Sequence, residues 1–540
     1  MLESIRNLRF ILPDWDDIVD PGFDFLNERF SDDYKRDKYA HGARVWTIFK
    51  EPPLDGVLVS RSILEVSRSK MLRIRRMGIK DFLKIPQRLR DPKRFQVIGD
   101  CGAWQYRYEK VPPYDAVETL DFYQRIGVDY GVSVVHIAFF GNPQERIELT
   151  YNNAKRSYGV WKKRFEKGDY TFILLAAVQG IEMDDYIKMF ERLYRLGYRH
   201  FAIGGLAKRS TDFIERLVDE LAKVAKHYGD VEKVHFLGIA RPSLIKFFAR
   251  LEGIVSEVSF DNATYLRMAW TRSHENYITI DGKAYTAIRV RPGSKGEDKV
   301  LEVLRRYDEG SIELERVIEV LREYARLNGD LSYLPYYVKT LEDRPWKSCD
   351  CVVCKGIGID VVIFRGNDRN RRRGFHNLYV FYKLLKSGAY LEKSRFSVVR
   401  DYRVAVARSY SASEDLVDFR SARRILVIAN CSDTKTIDRD KVLQVLSSKG
   451  LSMPSFDIDK EDVYREVLKQ FIKPAEEMYS GLFNYVRKLV NTLRAAGKEV
   501  DLYILSARYG LIPGDRPIVP YDAPLKALSK EELYLSLIHI

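Results

Sequence analysis

Eight short runs rich in β-branched and aromatic residues recur along the first half of the chain, each about a strand long and each set apart from the next by polar or helical patterning. They are RFILP (9–13), GVLVS (56–60), FQVIGD (95–100), YGVSVVHIAFF (130–140), TFILLAAVQG (171–180), HFAIGGLA (200–207), VHFLGIA (234–240) and VSEVSFD (255–261). Between them, DYIKMFERLYRLG (185–197) and TDFIERLVDELAKVAKHYG (211–229) place apolar residues at i, i+3 and i+4 and end on glycine, the signature of amphipathic crossover helices. Eight strands with crossovers in roughly 260 residues predict an α/β fold of the (β/α)8 TIM-barrel type. Its reactive groups belong at the C-terminal ends of the strands, so the last residues of each run become the candidates.

Those ends are chemically unusual. The third run ends in Asp100-Cys101-Gly102-Ala103-Trp104-Gln105, the fifth in Gln179-Gly180, the sixth in Gly204-Gly205-Leu206-Ala207 and the eighth in Asp261-Asn262-Ala263-Thr264-Tyr265. Two carboxylates, an amide and a double glycine are thereby expected on one rim. Glycines let a flat ring approach the backbone closely, and the Gln179 amide can both donate and accept toward a base edge. Taken singly, a strand-terminal aspartate is also a common helix cap or turn former.

Further on, Cys349, Cys351 and Cys354 crowd into a C-x-C-x-x-C run, and His376 follows 22 residues after the last of them. Three thiols and an imidazole supply four ligands for a tetrahedral Zn²⁺. With every position filled by protein, no place remains for water or substrate, so the expected zinc is structural, and the chemistry lies elsewhere.

The chain has 540 residues, enough for more than one core, and a formal net charge of +14 from 90 Lys plus Arg against 76 acids. That excess suits a polyanion such as nucleic acid, although ion-pair-rich surfaces show it too. Eleven basic residues and two acids lie between Arg68 and Arg94, and Arg369, Arg371, Arg372 and Arg373 form a second cluster. Both are expected either to grip phosphates or to be solvated faces. The apolar stretch FILLAAV is too short to span a bilayer, and the N-terminus MLESIRNLRFILPDWDD turns acidic without a sustained apolar region, which predicts a cytoplasmic protein without membrane partners.

In order, D-x-G-x-x-Q, V-Q-G, G-G-L-A and F-D, followed by C-x-C-x-x-C and a helical His, resemble the tRNA-guanine transglycosylase family over residues 1 to about 395. The run FDNATYLRMAWTRSHENYIT is similar to the archaeal branch, and GDCGAWQYRYEKVPPYDAVETLDFYQRIGVDYGVSVVH to the paralogues that insert 7-deazaguanines into DNA. The resemblance implies a zinc subdomain at about 340–380, Asp261 as nucleophile and Asp100 as general acid and base. It also implies a base pocket containing Gln179, Gly204, Gly205 and Leu206. No redox or nucleotide cofactor is required. Where these families carry another aspartate on the fourth strand, Ser133-Val134-Val135-His136 stands here. Either His136 takes over part of base recognition, or base preference has changed, or the copy is impaired; a histidine beside a strand end can equally be a satisfied structural residue. The expected reaction replaces guanine in DNA by a 7-deazaguanine such as 7-cyano-7-deazaguanine. The same exchange on tRNA, and a non-catalytic zinc-stabilised nucleic-acid-binding protein, are the alternatives. A second copy of the chain or helper proteins are possible partners in opening DNA.

After a linker at 396–420, RRILVIANCSDTK (423–435) and EVDLYILSARYGLIP (499–513) read as strands of a small α/β domain at 421–540, similar to one of poorly defined activity that occurs in archaeosine synthases. Its Cys431, Ser432 and Lys435 could handle an anion or nitrile, or Ser432 and Asp433 could merely shape a loop. No enzyme is expected there. The chain stops at YLSLIHI without a polar cap, so truncation of the last helix is expected.

Overall fold

The computed structural model describes residues 8–389, 424–431 and 435–522, except 208, 240, 456 and 482. Two compact units divide the chain, Met1–Val406 and Ala407–Ile540. The expected linker, Ser432, Asp433 and the final YLSLIHI lie outside the described residues.

In the first unit, eight parallel strands close into a barrel in sequence order: β1 (Arg9–Pro13), β2 (Gly56–Ser60), β3 (Gln96–Asp100), β4 (Tyr130–Val132), β5 (Ile173–Val178), β6 (His200–Ile203), β7 (Lys233–Phe236) and β8 (Glu257–Asp261). β8 returns to β1 with Asp261 opposite Ile11, and β2 meets β3 with Ser60 opposite Asp100. This register brings both aspartates to one rim. Ile11, Leu58, Ile98, Val132, Leu175, Ala177 and Ala202 fill the barrel, while Phe10, Val57, Val97, Leu174 and Phe201 face the surrounding helices. Burial on both faces explains why these strands read as continuous apolar runs rather than alternating ones. Ala177 and Ala202 are small, and the space above them is part of the cavity described below. At the opposite end, Glu257 accepts from Gln96 Nε2 at 2.9 Å and pairs with Arg9 at 2.9 Å and with buried Lys233, closing the floor.

Two strand glycines seat a helix. The ring of Tyr123, on the helix Ala116–Ile126, lies over Gly99 and Gly131, where an added Cβ would run into it, at 2.8 Å in the case of Gly99. The Tyr123 hydroxyl donates to Val132 O at 2.9 Å, so the ring has nowhere to go. Gly131→Ala is therefore expected to destabilise the protein by about 1–3 kcal/mol through overpacking, read from denaturant unfolding.

The fourth run is strand only over Tyr130–Val132, not to residue 140. Ser133 still pairs with β5, its N–H donating to Leu175 O at 3.0 Å and its hydroxyl accepting from Ala177 N at 2.9 Å. Beyond it the backbone finds other partners: His136 N–H donates to Thr150 Oγ1 at 3.1 Å and Ala138 N–H to Gln179 Oε1 at 3.0 Å. No described helix is long and apolar enough to cross a membrane.

In the second unit, Arg424–Asn430 pairs in parallel with Glu499–Ser506, which pairs antiparallel with Gly510–Pro513. Helices Arg439–Ser448 and Phe483–Ala495 belong to the same unit. Inside it, the hydroxyls of Tyr479, Tyr521 and Ser506 are linked at 2.8 Å, and Lys435 lies over the Tyr521 ring at 4.4 Å.

Candidate active site

A cavity of about 390 Å³ opens at the C-terminal end of the barrel, within the range of small-molecule sites. Asp100, Asp261, Gln179, Gly204, Gly205 and Leu206 all border it.

Asp261 ends β8 and is buried. Its Oδ1 accepts from Gly238 N–H at 2.9 Å and lies 3.2 Å from His235 Nε2. Among the described residues Oδ2 has no hydrogen-bond partner. One oxygen is thus held while the other is free to react. His235 Nδ1 lies 2.9 Å from the Ser259 hydroxyl. A carboxylate only accepts, so Nε2 carries the proton and Nδ1 accepts from Ser259. The pairing of β7 with β8 puts His235 opposite Ser259, and Asp261, two residues on, shares its face. The signal available in the sequence was a polar residue inside the apolar run VHFLG, and it was missed.

Asp100 ends β3. The residue is only partly buried, yet its Oδ1 is enclosed without a partner. Burial pushes its pKa up to about 7, and the nearby Asp261 adds to this, against opposing hydrogen bonds from the Ser60 side chain and the Gly102 amide. The two carboxyls thus meet different surroundings: Asp100 is a carboxyl able to hold a proton near neutrality, and Asp261 is oriented by donors.

Two expected base contacts are placed differently. His136 does not border the cavity; in the extended chain after β4, Val135 and Ile137 face it, and the intervening His136 points away. There its ring is fully buried and its Nε2 donates to Glu109 O at 2.9 Å. Gln179 borders the cavity, but its amide serves the segment after β4: Nε2 donates to His136 O at 2.6 Å and Thr150 Oγ1 at 2.7 Å, and Oε1 accepts from Ala138. Gly204 and Gly205 do present backbone to the cavity. A Cβ at Gly204 would meet nothing closer than 3.6 Å, and Gly205 has a φ of +73°, which favours glycine. Trp15, Trp104 and Arg267 also border the cavity, and Arg267 lies 5.6 Å from the Trp15 ring.

No family model matches the chain. A curated relative, the DNA-guanine transglycosylase of Salmonella montevideo, is 33% identical over 430 residues, covering 71% of this chain and 97% of the relative. The chain belongs to the DNA-guanine transglycosylase family. The eight-stranded barrel and the Cys3His cluster expected of such a transglycosylase are both present.

In this DNA-guanine transglycosylase family member, Cys349, Cys351, Cys354 and His376 bring their ligand atoms within 4.8 Å of one another. His376 Nδ1 lies 3.3–3.5 Å from all three sulfurs, close to the edge of about 3.6 Å between thiolate and imidazole ligands in a zinc tetrahedron. Its Nε2 donates to Ile278 O at 2.8 Å, which leaves the Nδ1 lone pair aimed at the sulfurs. The Tyr277 ring stacks on the imidazole at 4.0 Å. The donor set fits a metal ion.

The second basic cluster corrects the phosphate-gripping expectation, and the first does so only in part. Arg369, Arg371, Arg372 and Arg373 lie on the helix Gly366–Lys386, not in an open loop. Arg369 pairs with Asp360 at 2.8 Å and Glu28 at 2.6 Å, Arg372 with Asp368 at 2.5 Å, and Arg371 donates to Ile18 O at 3.0 Å. Arg373 is fully buried on the carbonyls of Val361, Ile363 and Ala269. In the other cluster Lys70 is buried against Asp16 at 2.9 Å, and Lys80 pairs with Asp129 at 2.5 Å. Arg68, Arg75 and Arg76 stay exposed with no acidic partner among the described residues.

Proposed function

We propose that this protein exchanges guanine in DNA for a 7-deazaguanine such as 7-cyano-7-deazaguanine, in the cytoplasm. The observation that carries the reading is the pair of unlike carboxyls on one cavity, Asp261 with an unengaged Oδ2 and Asp100 with an enclosed, unpartnered Oδ1. The name of the Salmonella montevideo relative supports DNA as the substrate.

In the first half-reaction Asp261 Oδ2 bonds to C1′ of the target nucleotide as the bond from C1′ to guanine N9 breaks, giving a glycosyl ester. Asp100 gives its proton to the departing base. In the second half the incoming base loses its proton to Asp100, bonds to C1′ and displaces Asp261, so configuration is retained. His235 and Gly238 hold Oδ1, which becomes the ester carbonyl oxygen. The backbone at Gly204 and Gly205, with Leu206, receives the flat base. Cys349, Cys351, Cys354 and His376 would hold a Zn²⁺ with all four positions filled by protein, which would serve the fold of the surrounding segments and not the exchange. The target base must leave the duplex to reach the cavity, at a cost of a few kcal/mol.

The test is a trapping assay. The protein is incubated with guanine-containing duplex DNA, and separately with tRNA, and run on a denaturing gel beside Asp261→Ala. The expected result is a covalent adduct with DNA that is absent in the variant. An adduct with tRNA alone would replace DNA by RNA as substrate, and no adduct with either would overturn the enzymatic reading.

A further inference from the structure

The loop after β3, together with Phe140 from the segment after β4, carries a row of aromatic rings outward from the cavity. Trp104 and Phe140 border the cavity and meet edge to face at 5.7 Å; Tyr108, beyond the cavity, meets Phe140 in the same way at 5.3 Å. The Arg107 guanidinium lies over all three, 4.6 Å from Trp104, 4.5 Å from Tyr108 and 5.8 Å from Phe140. It makes no ion pair among the described residues, and its one hydrogen bond goes to Trp104 O at 2.5 Å. The row is not a small buried core, because Tyr108 is 71% exposed and Trp104 49%.

The row is held in place from below. Buried Arg146 donates to Arg107 O at 2.7 Å and to Glu109 O at 2.9 Å, and His136 donates to the same Glu109 carbonyl. A loop left to itself would not offer large exposed rings at a fixed angle, since ordering them costs conformational entropy. Here the backbone on both sides of Tyr108 is clamped, so the ring is presented in advance of any partner.

We infer that Arg107, Tyr108 and Phe140 form a stacking platform for the nucleobase next to the exchanged guanine in the DNA strand. The inference rests on the function proposed above. Drawing one base into the cavity breaks its stack with a neighbour, leaving that neighbour's face uncovered beside the mouth. An aromatic face covers it without regard to sequence, and a guanidinium free of carboxylates adds cation–π attraction and a charge for the adjacent phosphate. Continuity with the cavity selects this occupant, because Phe140 belongs to both surfaces.

The experiment uses the full-length, metal-loaded protein and the guanine that the covalent adduct marks. Duplexes carrying 5-iodouracil immediately 5′ or 3′ of that guanine are irradiated and the crosslinked peptide is sequenced; the expected crosslink is to Tyr108 or Phe140 with one of the two. In steady state, Tyr108→Ala is expected to raise KM for DNA roughly tenfold with kcat retained. Tyr108→Phe keeps the wild-type value, and Tyr108→Leu, apolar but without a π face, behaves as Ala. Crosslinks confined to other residues, an unchanged KM in Tyr108→Ala, or a leucine variant as good as phenylalanine would each overturn the platform. If the unsubstituted protein forms no adduct with DNA, the proposed function fails and the platform with it; an adduct that ignores Tyr108 removes the platform alone.

Discussion

Asp100→Asn is expected to slow formation of the covalent adduct by roughly 10²- to 10⁴-fold, the range of general acid catalysis. The amide fills the same space but has no proton to give a departing guanine. The pH profile identifies the cause. Burial, with Asp261 nearby, raises the Asp100 carboxyl to about 7, so it is protonated below that pH and ionised above it. Single-turnover adduct formation by the wild type should therefore fall about tenfold per pH unit above about 7, and the asparagine variant should lose this limb. A limb that survives in the variant would assign the proton to another group. Stability should fall with rising pH too, but over a lower range. An unfolded aspartate ionises near 3.9, so the folded state binds the proton more tightly and stability from this residue drains away as pH rises from about 4 to about 7. Asparagine has no such dependence, and the variant should melt higher than wild type at neutral pH.

The second large effect belongs to the Cys3His cluster. Chelation, or Cys354→Ser, is expected to remove the metal and expose 277–386 to protease, because a structural zinc contributes roughly 10–16 kcal/mol of binding free energy to folding. The damage should not stay local. The helix Gly366–Lys386 also carries Asp368, which accepts from Asp20 N–H at 2.7 Å, and Arg373, which donates to Ala269 O at 2.5 Å. Gly374 lies against Leu266, where a Cβ would come within 2.7 Å. Those contacts fix the segment after β1 and the helix Thr264–Thr271 directly after Asp261. Cobalt substitution gives a readout independent of activity: thiolate-to-cobalt absorption with about one ion per chain in the wild type, lost in the variant. Full metal content and an unchanged protease pattern in Cys354→Ser would refute a structural metal.

The barrel was legible because its strands are buried on both sides and end in residues that break the apolar run. Asp100 and Asp261 were legible for the same reason. The fourth strand was not, since SVVHIAFF stays apolar after the ladder has stopped; its backbone turns to Thr150 and to the Gln179 side chain, partners that no local pattern announces. Which way His136 points depends on where that strand ends, so its direction could not be read from the sequence. The arginines failed differently. Arg369 is neutralised by Asp360 and by Glu28, 341 residues away along the chain, and a sequence does not distinguish a paired charge from a free one.

Val135 and His136 are neighbours in the chain that both hold the loop after β3, Val135 from the cavity wall, where its carbonyl accepts from the Tyr106 hydroxyl at 2.9 Å, and His136 from outside it. The wall at 135 and 137 is apolar, another part of the lining is backbone at Gly204 and Gly205, and the clamp at 136 reaches away to Glu109. A substitution at 135 is thus expected to reshape the cavity wall and, through its packing with Tyr106 and Ala103, to disturb the loop after β3 as well, whereas one at 136 acts on that loop alone. The shape of the cavity and the set of that loop are accordingly tied together at position 135.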